Sequence, residues 1–484
     1  FKFDYQTSSN IQIGRLLNLT IQVPEAIRER IEILSNLIVS IALLFSYLFI
    51  LIKISSLLLF IILIFQFFVL YLQVLPRSFL KNTSRSLNLS EEKINNQLSE
   101  EINSLKYLYS TGSIREPIFN LKKKLQNNHF LTMKLASIRS ALMPSSQFVG
   151  IIILSIITLS SLYLFNLNGN LQPEKIVIFL FTLNRLNGKT AQIAENISVL
   201  AVNRGILSSL DLFLDDSDKT FRIQNEGTDK FRKGPCSIKF FGIKYKYPGS
   251  KTYALQDINL EIKPGEYIAI IGESGSGKTT LLDIVLKLMK PTEGKIFINN
   301  YNLQDINTIS WQKSIGYVGQ QNFIYSGSIY ENIHMNTDNI NLKLVNKCIN
   351  AVGLNDFINS LTEKGNTKIG EGYRKISGGQ MQKINIARAL YRKPSLLILD
   401  EATSNQDLEN EKIISDLINN LSGSTTIIVV AHRLNSITKA DNIFMLKNGK
   451  VIEFGDHNNL IKQRKYYFNL WQNYKSNTNN FIKE

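Results

Sequence analysis

Cysteine is nearly absent from this chain of 484 residues: only Cys236 and Cys348 occur. Two thiols so far apart make neither a disulfide framework nor a thiolate metal site, which suits a reducing compartment for the part that carries them. Histidine is also scarce, with four copies, so a metal site built from imidazoles is not expected. Acidic residues are the minority charge, 39 against 55 basic ones, for a net charge of +16. That excess does not gather into an arginine-rich stripe interleaved with aromatics, so nucleic acid is not an expected partner. Basic loops facing an anionic lipid leaflet account for it better. No internal repeat, low-complexity tract or signal peptide is found, and the first residue is Phe1. Ile, Asn and Lys are abundant, as translation of an AT-rich bacterial genome would produce. The length exceeds one ordinary domain, so two or more are expected.

Long apolar runs set the first half apart. Leu34 to Ile52 and Leu57 to Leu75 are each 19 residues long, about 28 Å as helix and enough to cross a bilayer core. Lys53, Ser55 and Ser56 lie between them. A third run covers Phe148 to Phe165. A weaker fourth covers Glu174 to Leu200 and carries Asn184, Arg185, Lys189 and Glu195. The expected spans are about 31–53, 55–76, 146–166 and 174–200, within a domain covering 1–214. Residues 77–147 hold Arg77, Lys81, Arg85, Lys93, Lys106, Arg115, Lys122, Lys123, Lys124, Lys134 and Arg139, whereas Asn166 to Pro173 hold no Lys or Arg. The positive-inside rule puts the first segment in the cytosol and the second outside. Ile94, Leu98, Ile102, Leu105 and Leu108 recur at helical spacing, so long helices projecting from the membrane are expected in 77–147. Residues 215–235 are polar and read as a linker. From 236 to 470 strand-like and helix-like runs alternate, an α/β pattern, and 471–484 form a tail.

The most specific chemistry lies at Gly272-Glu273-Ser274-Gly275-Ser276-Gly277-Lys278-Thr279, with Thr280 next. This is the GxxxxGK[ST] phosphate-binding loop, set between an apolar strand (Tyr267 to Ile271) and a helix (Leu281 to Met289). Its glycines let backbone N–H groups curl around phosphate oxygens, Lys278 reaches the β- and γ-phosphates, and Thr279 can ligate Mg²⁺. Leu396 to Leu399 read as a buried parallel strand ending in Asp400 and Glu401. Asp400 would hold Mg²⁺ through water, and Glu401 is placed to polarise an attacking water.

Ile376-Ser377-Gly378-Gly379-Gln380, just before that strand, resembles the signature motif of ATP-binding cassette (ABC) proteins. Further elements are similar to that family. Gln320 resembles its Q-loop glutamine, which senses Mg²⁺, and His432 its switch histidine on the γ-phosphate. Asp407 resembles the D-loop acid, and Tyr247 the aromatic that stacks on adenine. The sequence departs from the family at Ile376 for Leu, at Gly319 for Pro and in the D-loop Ser404-Asn405-Gln406-Asp407. None of these removes a catalytic group. The resemblance implies an α-helical transmembrane domain followed by an α/β P-loop NTPase cassette, with ATP and Mg²⁺ as cofactors. It also implies a second half-transporter, most simply a copy of this chain, whose Ser377 and Gly379 close over ATP held by Lys278. Helices preceding the cassette, Phe323 to Ile333, and Gly370-Glu371-Gly372 resemble the exporter class. Exporter half-transporters carry six spans; Tyr5 to Glu32 resembles their first cytoplasmic loop. The first two spans are therefore expected to lie outside this chain, by truncation or a divided gene. Leu105 to Phe119 resembles the second cytoplasmic loop with its short transverse helix. Gly-Glu-Gly and the stretch Ser9-Asn10 to Arg15 resemble flippases of lipid-linked oligosaccharides; peptide and drug exporters, and an inactive membrane-anchored ATPase fragment, stay open. The expected location is a bacterial inner membrane with the cassette in the cytosol.

Overall fold

The computed structural model describes residues 13–54, 77–168, 173–220, 227–335, 340–400, 408–431 and 437–481, with isolated helical positions at 60, 63, 67 and 71. It divides into a helical unit, Thr7–Phe221, and a unit made almost wholly of Arg222–Glu484.

Among the described residues four long helices build the first unit: α1 (Ile13–Ile54), α2 (Arg77–Ser110), α3 (Arg115–Asn168) and α4 (Pro173–Thr220). Within Leu19–Ile54 of α1 an 18-residue window has a mean hydropathy of 2.6, yet only 11% of that window is buried. Ile38, Phe45 and Phe49 point outward, each more than 60% exposed. A soluble core helix would bury those side chains, so an apolar medium is what this surface matches. Among the described residues this is the one helix that passes as a span by length and composition. Most of the expected second span lies outside the described residues; the third and fourth fall within α3 and α4. α1 and α4 pack through Leu51 against Phe179, Leu183 and Leu186. Polar ties accompany that contact: Ser40 donates to Gln192 at 3.3 Å and Asn203 to Glu29 at 3.2 Å.

The basic segment 77–147 is helical throughout apart from one turn, as its periodicity predicts. The turn, Thr111 to Ile114, closes on Gly112 in the left-handed region (φ 66°), with Ser113 N–H donating to the Leu108 carbonyl at 3.0 Å. Beyond it α3 restarts with Glu116 and Pro117 in its first turn, where a proline costs no hydrogen bond. The stretch expected to hold a short transverse helix, Leu105 to Phe119, divides between the end of α2, this turn and the start of α3. The segment read as a linker is also shorter than expected. α4 runs to Thr220, Asp229 is bridged to Ile306, and the Phe231 ring meets Trp311 edge-on at 5.0 Å.

Among the described residues the second unit holds twelve strands. β1 (Ile238–Tyr245), β2 (Leu255–Ile262), β4 (Glu293–Ile298) and β5 (Tyr301–Asn302) form an antiparallel sheet in the order β2-β1-β4-β5. β3 (Tyr267–Gly272), β6 (Ile315–Val318), β9 (Leu396–Asp400), β10 (Thr426–Val430), β11 (Asn442–Lys447) and β12 (Lys450–Gly455) form the central sheet, ordered β12-β11-β3-β10-β9-β6. β7 (Gly327–Ser328) pairs with β8 (Lys368–Ile369). The helices are α5 (Lys278–Val285), α6 (Thr308–Lys313), α7 (Ile329–His334), α8 (Leu342–Ala351), α9 (Asn355–Asn359), α10 (Gly378–Tyr391), α11 (Leu408–Leu421), α12 (His457–Gln463) and α13 (Tyr466–Phe481).

All five residues of β9 and of β10 are buried, as is each of the first five in β3. Parallel strands covered on both faces need such unbroken apolar runs. Alternate residues feed two cores: Ala269, Leu397 and Val429 face one, Ile270, Ile398 and Ile428 the other. Two boundaries differ from expectation. The helix after β3 starts at Lys278 and stops at Val285, because Lys287 turns left-handed (φ 56°) and hands its ammonium to the carbonyls of Gln304 and Ile306. The tail expected from 471 belongs to α13, and Leu470 and Trp471 pack on the core.

Candidate nucleotide site

Sheet register, rather than sequence proximity, assembles the site. β10 pairs in parallel with both β3 (Val430 opposite Ile270) and β9 (Val430 opposite Asp400). β6 pairs with β9, Val318 opposite Leu399. The loop after β3, the acid ending β9 and Gln320 after β6 therefore leave the same carboxyl edge of the sheet, where ligands of open α/β sheets bind.

Gly272 permits the tight exit from β3: a Cβ there would meet the Leu446 carbonyl at 2.3 Å and Ser276 Oγ at 2.6 Å. Gly277 caps α5 in a left-handed conformation (φ 103°) that a side chain would drive into the Ala254 carbonyl at 2.7 Å. Between them the loop folds on itself. Lys278 is 6% exposed, and its Nζ donates to the carbonyls of Gly272 (2.8 Å) and Glu273 (2.9 Å). Ser276 is 3% exposed and its hydroxyl has no hydrogen-bond partner among the described residues. A buried hydroxyl without a partner, set beside a nearly buried ammonium, is what a phosphate oxygen would satisfy. The cradle thus fits a nucleoside triphosphate.

Asp400 is 7% exposed, and the Tyr317 hydroxyl stands 3.5 Å from its Oδ2. Behind it, burial first and the Asp400 charge second push the Asp283 carboxyl up to about 6. Asp400, Thr279 and Gln320 offer carboxylate, hydroxyl and amide oxygens, the hard donor set that suits Mg²⁺. Tyr247 is 39% exposed, and its hydroxyl lies 2.9 Å from Thr280 Oγ1, which brings the ring to the first turn of α5. The Tyr245 ring meets it edge-on at 5.0 Å.

Ser377 caps α10 and forms a capping box with Gln380: its Oγ accepts from Gln380 N–H (3.2 Å), and Gln380 Oε1 accepts from Ser377 N–H (2.9 Å). The Gln380 side chain, expected on nucleotide, is spent on the helix terminus. Ser377 and Gly378 are exposed, and a Cβ on Gly378 would meet nothing within 4 Å. Glu401, Asp407 and His432 lie outside the described residues.

Two groups near this site escaped the sequence reading. Arg388 on α10 donates to the Asn332 carbonyl (2.7 Å) and Oδ1 (3.1 Å), the Phe323 carbonyl (2.9 Å) and Asn385 Oδ1 (2.7 Å). Asn385 in turn donates to Asn322 Oδ1 at 3.1 Å, two residues beyond Gln320. Tyr466, from the last helix, donates its hydroxyl to the Glu273 carboxylate in the phosphate loop.

Residues 255–404 match the protein family described as ABC transporter. The chain carries an ABC transporter cassette. Relatives of that cassette come from distant organisms. A putative multidrug export ATP-binding/permease protein of Bacillus subtilis, YgaD, is 32% identical over 311 residues, covering 63% of this chain and 53% of its own. A protein of the same description from Staphylococcus aureus is 38% identical, covering 48% of this chain and 40% of its own. ABC transporter B family member 2 of Dictyostelium discoideum is 37% identical, covering 48% and 17%. The chain thus spans about half or less of the length of these curated relatives. Among solved structures, a bacterial Atm1-family ABC exporter with ATP bound superposes with a TM-score of 0.89 at 19% identity, covering 98% of this chain and 83% of that one. That likeness is one of fold, and it takes in the helical unit as well as the cassette.

Proposed function

We propose that this chain hydrolyses ATP to drive export, or flipping, of a substrate across a membrane, as one half of a two-cassette assembly. One observation carries the reading. A phosphate cradle with a buried lysine and a partnerless buried hydroxyl is joined in one chain to a helix whose apolar surface faces outward.

Each residue then has a role. The loop from Gly272 to Thr280 wraps the phosphates, and the Tyr247 ring stacks on adenine. Thr279, Asp400 and Gln320 hold Mg²⁺, which supplies charge stabilisation to the phosphoryl oxygens when bound. Lys278 leaves its loop carbonyls for the β- and γ-phosphates. Glu401 orients the attacking water, and His432 holds the γ-phosphate. Most of the acceleration comes from positioning and preorganised charge. Ser377 and Gly379 of a second copy close the site from across a dimer. The exposure of Ser377 and of the neighbouring Gly378 supports this, since an exposed, rigidly capped turn is available to a partner. The setting is a bacterial inner membrane, with cassette and basic helical segment in the cytosol.

For cargo, the Gly370-Glu371-Gly372 resemblance favours a lipid-linked oligosaccharide or another lipid. The described relatives in Bacillus and Staphylococcus favour a drug-like substrate instead. Arg185 is exposed on α4 within the fourth apolar run, 5.3 Å from the Phe181 ring centre, and would suit an anionic headgroup. The deciding experiment is ATP hydrolysis by the reconstituted chain beside Glu401→Gln, with polyprenyl-linked glycans, lipids, drugs and peptides added in turn. Turnover lost in the variant and raised by one class supports transport and names the class. A folded, membrane-inserted chain with no turnover would refute autonomous activity.

A further inference from the structure

The last helix meets the phosphate loop through a contact that ATP chemistry does not require. α13 is held firmly at its start. Glu453 on β12, 8% exposed, accepts from the amides of both Tyr466 (2.7 Å) and Tyr467 (3.1 Å). Tyr467 is fully buried, with its hydroxyl 2.7 Å from His457 Nδ1. Tyr466 is therefore presented from a fixed base. Lys447 Nζ lies 4.3 Å from the centre of its ring, and its hydroxyl donates to the Glu273 carboxylate. That bond holds the Tyr466 hydroxyl above its ordinary pKa, so it remains a donor through the physiological range. The β11–β12 turn braces the same loop from beside it, Gly449 N–H donating to the Ser276 carbonyl at 3.0 Å.

Glu273 poses a problem for the loop it belongs to. Its backbone is part of the cradle: the Glu273 carbonyl accepts from Ser276 N–H (3.1 Å) and from Lys278. Its side chain is an exposed carboxylate on a loop built to receive a triphosphate. Like charges at that range repel, and the repulsion grows with the number of phosphate charges.

We propose that Tyr466 is a positioning residue of the nucleotide site: it holds the Glu273 carboxylate outward, away from the polyphosphate, and so sets the affinity of the loop for ATP. The inference rests on the nucleotide reading of the loop, and it makes the C-terminal helix part of the site.

The test uses the full chain in lipid nanodiscs, with ATP and ADP binding measured by titration and ATP turnover measured alongside. Tyr466→Phe should raise the Kd and KM for ATP about two- to fivefold, the range of exposed charge interactions, with kcat and melting temperature unchanged. The rise should be smaller for ADP. Glu273→Gln should tighten ATP, and the double variant should bind like Glu273→Gln alone. If Tyr466→Phe leaves Kd unchanged, or weakens binding equally in the Glu273→Gln background, the tyrosine does not act through that carboxylate and the proposal falls. A wild-type chain that binds no ATP, matching a Lys278→Ala control, would overturn the nucleotide reading and this inference with it.

Discussion

Lys278 is turned back onto the loop that carries it, its ammonium shared between two carbonyls of that loop. The arrangement keeps a nearly buried cation solvated by protein oxygen, and in the proposed mechanism those bonds are exchanged for phosphate oxygens. The two cysteines show the opposite use of burial. Cys236 is fully buried and Cys348 is 5% exposed. Desolvation pushes the first thiol up to about 12 and the second up to about 11. A raised thiol pKa keeps the neutral form, and only the thiolate reacts. Between pH 7 and 9 the native protein should therefore resist maleimide labelling. Unfolding in denaturant should expose two reactive thiols, counted by mass spectrometry; rapid native labelling at pH 8 would contradict the burial.

At the scale of elements, the signature helix α10 is secured at both ends by different chemistry. Its N-terminus is closed by the Ser377–Gln380 capping box. Toward its C-terminus, Arg388 ties it to the segment that follows Gln320 through acceptors that are all uncharged. A guanidinium makes this set because it is a planar fork of donors, and a lysine cannot reproduce it. Arg388→Ala should cost about 1–3 kcal/mol by taking the donor from the Asn332 and Phe323 carbonyls and from Asn385 Oδ1, and Arg388→Lys should recover only part of that. Denaturant unfolding of the cassette transition would measure both. The companion helix α7 uses the same grammar, Ser328 and Glu331 forming its capping box, so both helices flanking this network begin on Ser-x-x-Gln or Ser-x-x-Glu.

For the whole molecule, the organising contrast is where each half places its apolar side chains. Residues 238–455 bury their apolar side chains in two cores around one sheet, while α1 turns Ile38, Phe45 and Phe49 outward. The positive-inside pattern fixes the expected direction of insertion, and the inert native thiols leave it easily tested. Cysteine placed at Asn170→Cys should react with an impermeant maleimide on intact cells. Lys123→Cys, on the basic helix α3, should react only after the membrane is opened. The reverse pattern would invert the topology.

The sequence alone determined the features whose physics is local or repetitive. The phosphate loop is contiguous, from Gly272 to Thr279, because one turn of backbone must cradle one phosphate. β3 and β9 were legible as buried strands because a strand covered on both faces has no polar residues to spare. The apolar run in α1 and the helical period through 77–147 were legible for the same kind of reason. Tertiary structure decided what depends on residues far apart in the chain. Arg388 meets Asn332 across 56 positions, and Tyr466 meets Glu273 across 193. Neither tyrosine nor glutamate carries a motif for the other; only the packing of Tyr467 and the Glu453 cap brings α13 to the loop. The Lys278 bonds, the partnerless Ser276 hydroxyl and the diversion of Gln380 into a helix cap likewise follow from where side chains come to rest. Sequence pattern names the residues able to bind phosphate, and folding selects which of their polar groups are still available to do so.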